Sequence, residues 1–371
     1  MKKGKILKVV IVSLVLIALI LVGIYFLLQR QTYSTVETVA HYENVSLDNP
    51  GYEKYLKGVL KYTRDGVAFL DKSGEEIWNQ PCQMNNPVVE VRGEIAVVCD
   101  RTGTSILVFE ESGLKGEIKT TRPIERISVS EQGIVAAILK DDTAPKVMCY
   151  DATGNVLVEQ NTSLDNTGYP MDVALSADGN VLLVSYLMTE SSGISTKIIY
   201  YDFSGEDIDK KDYKLHEKVY EGSVVPVVDY LNKNCSILVA DDQVVLFEGK
   251  EELVEIAKIP VHEILNIEYN EKNIAILVKE KDSSTMKLRI YNIAGEMVSE
   301  MEVDHEYSEI GLFDNQIILY EENACSILMK DGICKFSGEM DANILEMYPL
   351  IGLNKYMMIN ANGFYEIRLA Q

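Results

Sequence analysis

Two kinds of apolar segment are set into this chain. The first is a single run, Val9–Leu28, of 20 residues whose one polar side chain is Ser13. A helix of that length spans roughly 30 Å, the thickness of a hydrocarbon core, and satisfies its own backbone groups there. The run predicts one transmembrane helix over 9–28. Lys2, Lys3, Lys5 and Lys8 precede it and only Arg30 follows closely, which predicts a cytoplasmic N-terminus and a bulk domain on the outer side. The run ends Tyr25-Phe-Leu-Leu-Gln-Arg30, with no small-residue cleavage site and no following cysteine. An uncleaved signal anchor is therefore expected, in place of a removed signal peptide or a lipoprotein.

The second kind is short, recurrent and rich in Val, Ile, Leu and Tyr. Eight such runs end in a similar way: Val67–Asp71, Ile106–Glu110, Val147–Asp151, Ile198–Asp202, Val244–Glu248, Leu288–Asn292, Ser326–Lys330 and Phe364–Arg368. Their last residues are separated by 39, 41, 51, 46, 44, 38 and 38 positions. A period near forty is the signature of a β-propeller built of four-stranded blades. Glycine-bearing turns follow several of these runs, as in Lys72-Ser-Gly74, Ala152-Thr-Gly154 and Ile293-Ala-Gly295. A tight hairpin requires a positive φ there. A second apolar run precedes most copies, among them Ile95–Val98, Ile134–Ile138, Val181–Val184 and Ile274–Val278. These read as inner strands covered on both faces by neighbouring blades.

The reading is an all-β chain with eight blades; seven, with the first and last units sharing one sheet, is the alternative. The last unit ends just after its third strand, so its outer edge needs a partner. The segment Thr35–Tyr42 has strand character and is expected to supply it. The predicted layout is a basic tail over 1–8, a span over 9–28, a linker with the closing strand over 29–54, and a propeller over 55–371.

Charge sharpens this picture. The formal net charge is −22, with 57 acids against 35 basic residues. Residues 1–30 hold five of the basic residues and no acid, so the remainder is more acidic still. Such a domain repels phosphate backbones, and nucleic acid is not an expected partner.

Candidate chemistry is sparse. His41, His216, His262 and His305 lie far apart, and none has metal-ligand spacing. The cysteines, Cys82, Cys99, Cys149, Cys235, Cys325 and Cys334, form no C-x-x-C pair. Most fall in or beside predicted strands, where cysteine acts as a small apolar residue; free thiols are expected. The acidic groups Asp141-Asp142, Asp207/Asp209, Asp241-Asp242 and Glu251-Glu252 lack the calcium-loop pattern. No G-x-S-x-G elbow or phosphate-binding loop occurs. No cofactor, metal or catalytic residue is assigned. The longest inter-strand insertions fall in the fourth unit, at Leu187–Ser195 and Glu206–Gly222, and Met188, Glu190 and Ser195 are candidate loop contacts.

Asp71-Lys-Ser-Gly-Glu-Glu-Ile-Trp78 resembles the D-x-x-G-x-x-x-W turn of quinoprotein-like, WD40-like propellers. In that superfamily the tryptophan docks between adjacent blades, which implies such a role for Trp78, with Gly74 shaping the turn. The plan of basic tail, single anchor and acidic propeller looks like an uncharacterised membrane-protein family of clostridia-like bacteria, a domain of unknown function. Similar propellers include a scaffold lipoprotein of outer-membrane barrel assembly and quinone-dependent dehydrogenases. Trp78 is the sole tryptophan, so the repeated motif of the quinone enzymes is missing. The function expected is a membrane-anchored, extracytoplasmic binding or scaffold module for a protein or cell-envelope ligand. The alternative is an enzyme, quinone-dependent or a metal-assisted hydrolase, with its site at the central channel.

Overall fold

The computed structural model describes residues 2–44, 50–141, 143–190, 193–204, 213–250, 252–280 and 285–371. Of the acids considered above, Asp142, Asp207, Asp209 and Glu251 lie outside these residues. Among the described residues one helix, α1 (Lys2–Gln29), is followed by thirty-two strands, β1 to β32 in chain order.

The strands form eight four-stranded antiparallel sheets. Seven are sequential in the chain, from the sheet of β2 (Gly51–Tyr55), β3 (Gly58–Tyr62), β4 (Gly66–Leu70) and β5 (Glu76–Pro81) to that of β26 (Glu309–Leu312), β27 (Gln316–Glu321), β28 (Ala324–Met329) and β29 (Cys334–Glu339). In the eighth, β1 (Thr35–Glu43) is followed across the sheet by β32 (Gly363–Ala370), β31 (Lys355–Asn360) and β30 (Glu346–Pro349). Here β1 (Thr35–Glu43) pairs antiparallel with β32 (Gly363–Ala370), from Thr35 opposite Ala370 to Glu43 opposite Gly363. The segment expected to complete the last blade does so, and the blade count is eight.

The chain divides into two compact units. One comprises residues 1–43 and 307–371, and the other residues 44–306. The larger holds six sheets, and its core consists of apolar clusters that each join two consecutive sheets. One links Val97, Ile106 and Val108 to Val135, Ala137 and Leu139. The next links Ala136 and Ile138 to Leu182, Val184 and Ile199. Strands covered on both faces are buried at every position, as in Ile95–Asp100 and Val135–Leu139, and all of these residues but the terminal Asp100 are apolar, which explains the continuous runs in the sequence. The smaller unit has two sheets, joined by a cluster containing Ile318, Ile327, Phe336, Met347, Tyr356 and Ile367.

The runs named from the sequence are the second and third strands of each sheet, not the innermost ones. The first strands are shorter or mixed in polarity, for example β6 (Pro87–Arg92), β14 (Tyr169–Leu175) and β18 (Val227–Tyr230). The first sheet begins at Gly51, four residues before the expected start of the propeller.

The hairpin leaving the third strand has a chemical basis. Asp71 Oδ1 accepts hydrogen bonds from Ser73 N at 2.8 Å and Glu75 N at 3.0 Å, while Gly74 takes φ 76°. Asp151 repeats the pattern with Thr153 N and Asn155 N, and Asn292 with Ala294 N and Glu296 N. The carboxylate or amide thus holds the turn that glycine permits. The fourth strand that follows skips one residue in every sheet. The bulged residues are Ile77, Lys115, Leu157, Leu215, Ile256, Val298, Lys335 and, on β1, Val39. A bulge at the same place in each outer strand strengthens its twist.

One expectation is corrected. The insertion Leu187–Ser195 is not a loop: β15 (Val181–Glu190) and β16 (Gly193–Asp202) extend as one long hairpin in which Met188 pairs with Ser195. Alternation along this hairpin turns both inward. Within Glu206–Gly222, residues 206–212 lie outside the described set, and Lys214–Glu221 is strand β17. The helix α1 forms at the long apolar run, with Ile11, Leu14, Ile17, Leu19 and Leu21 exposed. The expected membrane span is not supported by it: among the described residues, no helix is long and apolar enough to cross a membrane.

Candidate functional site

First strands determine what a propeller can bind along its axis. In the larger unit they line a cavity of about 630 Å³. Successive side chains of a strand face opposite ways, so the spacing i, i+2 places Glu90 and Arg92 of β6 together on the cavity wall. Glu53, Asp172, Asp229, Glu268 and Glu271 also line it, and among the described residues Arg92 is the one basic residue in the lining.

The acids tie consecutive sheets together. Glu90 Oε1 accepts a hydrogen bond from Val129 N at 3.0 Å, at the end of β10 (Ile124–Val129). Ser128 Oγ, on the same strand, accepts one from Leu175 N of β14 at 3.1 Å. Asp172 Oδ2 on β14 accepts one from Val228 N of β18 at 2.9 Å. A second connection is longer. Arg92 donates through Nη1 to Tyr230 O at 2.7 Å and through Nη2 to the Asp229 carboxylate. Two sheets lie between β6 and β18 in chain order, so this ion pair crosses the cavity. Asp229 also accepts bonds from Tyr230 N at 2.7 Å and from the Tyr269 side chain.

Confinement makes these carboxyls weak acids. Burial pushes Glu90 up to about 8, with the neighbouring Asp229 charge adding to it. Burial pushes Asp172 up to about 7. Asp229 is raised as well, because burial outweighs the pull of the Arg92 guanidinium. Tyr269 stays protonated, held well above the ordinary phenol range by burial and then by Asp229. Like charges gathered in a confined site cannot all ionise at ordinary pH.

This predicts a pH signature. Between about pH 4.5 and 8 the folded chain holds a proton at Glu90 that the unfolded chain releases, so stability falls as pH rises through that window. Glu90→Gln removes this dependence. Its melting temperature, relative to the parent protein, is expected to climb from pH 5 to pH 8. A constant difference measured by differential scanning fluorimetry would contradict the assignment.

The residues singled out from the sequence lie elsewhere. Trp78 stands on β5 (Glu76–Pro81), its ring stacked on Phe109 of the next sheet with centroids 5.0 Å apart, and its Nε1 donates to Glu111 O at 3.1 Å. Gly74 sits in the preceding turn. Met188 and Ser195 are 9% and 5% exposed, so neither is offered to a partner. Glu190 ends β15 beside them. His41 stacks on Tyr365, with ring centroids 4.2 Å apart, and His216 packs against Tyr200 and Phe247. None of the six cysteines is joined in a disulfide. Asp241 and Asp242, in the turn after Cys235–Val239, share the single hydroxyl proton of Ser223, whose Oγ lies 2.9 Å from a carboxylate oxygen of each. Among the described residues no group of three or more His, Cys, Asp or Glu side chains is placed to hold a metal ion.

The cavity residues were missed for a physical reason. Val89-Glu-Val-Arg92, Met171-Asp-Val173 and Val228-Asp-Tyr230 alternate apolar and charged positions, the pattern of a strand with one open face. The stronger apolar runs beside them drew the strand assignment.

Known structures and families bear on the fold. A crystal structure of BamB from Moraxella catarrhalis is similar with a TM-score of 0.52 at 12% identity, covering 90% of this chain and 100% of that one. At that identity the likeness concerns the eight-bladed architecture. No curated protein matches the chain. The model for the family of unknown function DUF5711 matches residues 29–369, and the chain belongs to that family.

Proposed function

We propose that this protein is a membrane-tethered, extracytoplasmic β-propeller that binds a cationic group of a protein or cell-envelope partner in its acidic cavity. The observation that carries the reading is the wall itself: six carboxyl residues, Glu53, Glu90, Asp172, Asp229, Glu268 and Glu271, against the single guanidinium of Arg92. An excess of carboxylates in a confined cleft concentrates cations. The tether rests on the sequence, where Val9–Leu28 is apolar and follows four lysines, and on the outward-facing apolar side chains of α1. Such side chains find a favourable surrounding in lipid.

The test is calorimetric titration of the full-length protein in detergent with tetralysine, in 150 mM salt. Binding is expected at pH 8, at least tenfold weaker at pH 6, where Glu90 and Asp172 take up protons, and weakened again by Asp172→Asn. The amide of that variant can still accept the Val228 hydrogen bond. Binding that ignores both pH and the substitution, or no binding at all, would remove the reading.

A hydrolase is the second reading. The same two carboxyls, protonated near neutrality inside a cavity, suit general-acid catalysis. Release of reducing sugar from cell-envelope polysaccharide, lost in Glu90→Gln, would favour it.

A further inference from the structure

The end of the smaller unit from which α1 leaves carries an apolar hairpin tip. Strands β30 (Glu346–Pro349) and β31 (Lys355–Asn360) are joined by Leu350-Ile-Gly-Leu-Asn354. Ile351 is fully exposed, at 103% of its reference surface. Gly352, at φ 126°, takes a conformation that residues with a side chain rarely adopt. An isoleucine held wholly in water makes no internal contact that would justify its place.

The tip is tied to the start of β1. Asn354 Nδ2 and the Tyr33 hydroxyl are hydrogen-bonded, Leu369 N donates to Asn354 O at 3.0 Å, and Ser34 N donates to Ala370 O at 3.1 Å. Arg30 forms an ion pair with Asp331 in the neighbouring turn. Only Arg30–Ser34 separate α1 from β1, and five residues reach at most about 18 Å. The end of α1 is therefore held within about 18 Å of the start of β1, the strand end to which the tip is bonded. Two acids at this end are neutralised, Asp331 by Arg30 and Glu366 by Lys355 at 2.6 Å, so repulsion from anionic lipid is reduced.

We propose that the β30–β31 tip, Leu350–Leu353, inserts into the lipid interface beside α1 as a second membrane contact. This rests on the tether reading above. It would fix the tilt of the smaller unit on the membrane, where a single helix leaves rotation free.

The test uses the full-length protein in nanodiscs of phosphatidylcholine and phosphatidylglycerol, with and without brominated acyl chains. Trp78 is the sole native tryptophan and supplies the background. In Ile351→Trp, emission is expected to shift to the blue and to be quenched at least twofold more than in the parent protein by bromines near the headgroup. A parallel Ile17→Trp variant reports α1, through quenching by deep bromines. Quenching of Ile17→Trp without quenching of Ile351→Trp overturns the second contact and leaves the tether standing. Quenching of neither removes both. A blue shift of Ile351→Trp without lipid quenching assigns the tip to a protein surface and overturns the proposal. Because Ile351 touches nothing inside the fold, its replacement leaves folding intact.

Discussion

Arg92→Met is expected to destabilise the larger unit by about 3 kcal/mol, because it strands a carboxylate that burial already disfavours. Arg92 and Asp229 are 20% and 23% exposed and joined across the cavity. Removing the guanidinium takes away the bond to Tyr230 O as well as the ion pair. The six acids of the wall would then face one another with no basic residue among them. In a domain of this size the melting temperature should fall by roughly 6–10 °C. The deficit should shrink as pH is lowered, since Asp229 then takes a proton and loses the charge that needs a partner. The double variant Arg92→Met/Asp229→Asn should recover most of the loss. Thermal unfolding of the two proteins at pH 5 and pH 8 decides the matter; a single variant as stable as the parent at both would show that the pair contributes little.

Lys335→Met should act in the opposite sense, stabilising the smaller unit by about 2–3 kcal/mol at pH 7. Lys335 occupies the bulge of β29 (Cys334–Glu339), the position filled by Ile77, Leu157, Leu215, Ile256 and Val298 in other sheets. There it is 2% exposed, whereas Ile77 and Leu157 are more than half exposed. The difference is the chain between α1 and β1, which crosses it: Tyr33 N donates to Lys335 O at 2.7 Å. Among the described residues the ammonium group meets only the Tyr356 hydroxyl, at a long 3.5 Å, and burial lowers its pKa to about 8. Below pH 8 the folded chain carries the full penalty of an enclosed charge. Between pH 8 and 10.5 the unfolded chain binds the extra proton, so stability rises with pH in that window. The advantage of Lys335→Met should therefore be largest near pH 7 and fade toward pH 10. Urea denaturation at pH 7 and pH 10 measures it, and a methionine variant less stable than the parent at pH 7 would refute the account.

The eight-fold repeat was legible because second and third strands are buried on both faces and read as unbroken apolar runs. The edge strand at Thr35 was legible from a counting argument, since a third strand without a neighbour must find one. The cavity was not legible. Its residues sit on first strands, where a charged side chain alternates with apolar ones, and no short motif distinguishes Glu90 or Asp229 from a solvated turn acid. Their partners are supplied by strands far along the chain, as Asp229 is for Arg92, 137 positions away. The segment near Met188 was misread because Thr189-Glu-Ser-Ser-Gly193 has the composition of a loop, while pairing with an equally long neighbour keeps most of it extended. Trp78 was legible as an isolated motif; in the structure its ring stacks on Phe109 of the next sheet.

The pairing of β1 with β32 also governs the order in which the chain can fold. The two strands are separated by more than 300 residues, and joining ends that far apart costs about 5 kcal/mol of chain entropy if nothing between them is ordered. The cost falls once the intervening sheets have formed, so the eighth sheet should be the last to assemble. Throughout synthesis β1 waits without a partner, and a completed β32 can meet the β1 of another molecule as easily as its own. Crowded nascent chains would then exchange first strands and form swapped dimers, each still holding eight complete sheets.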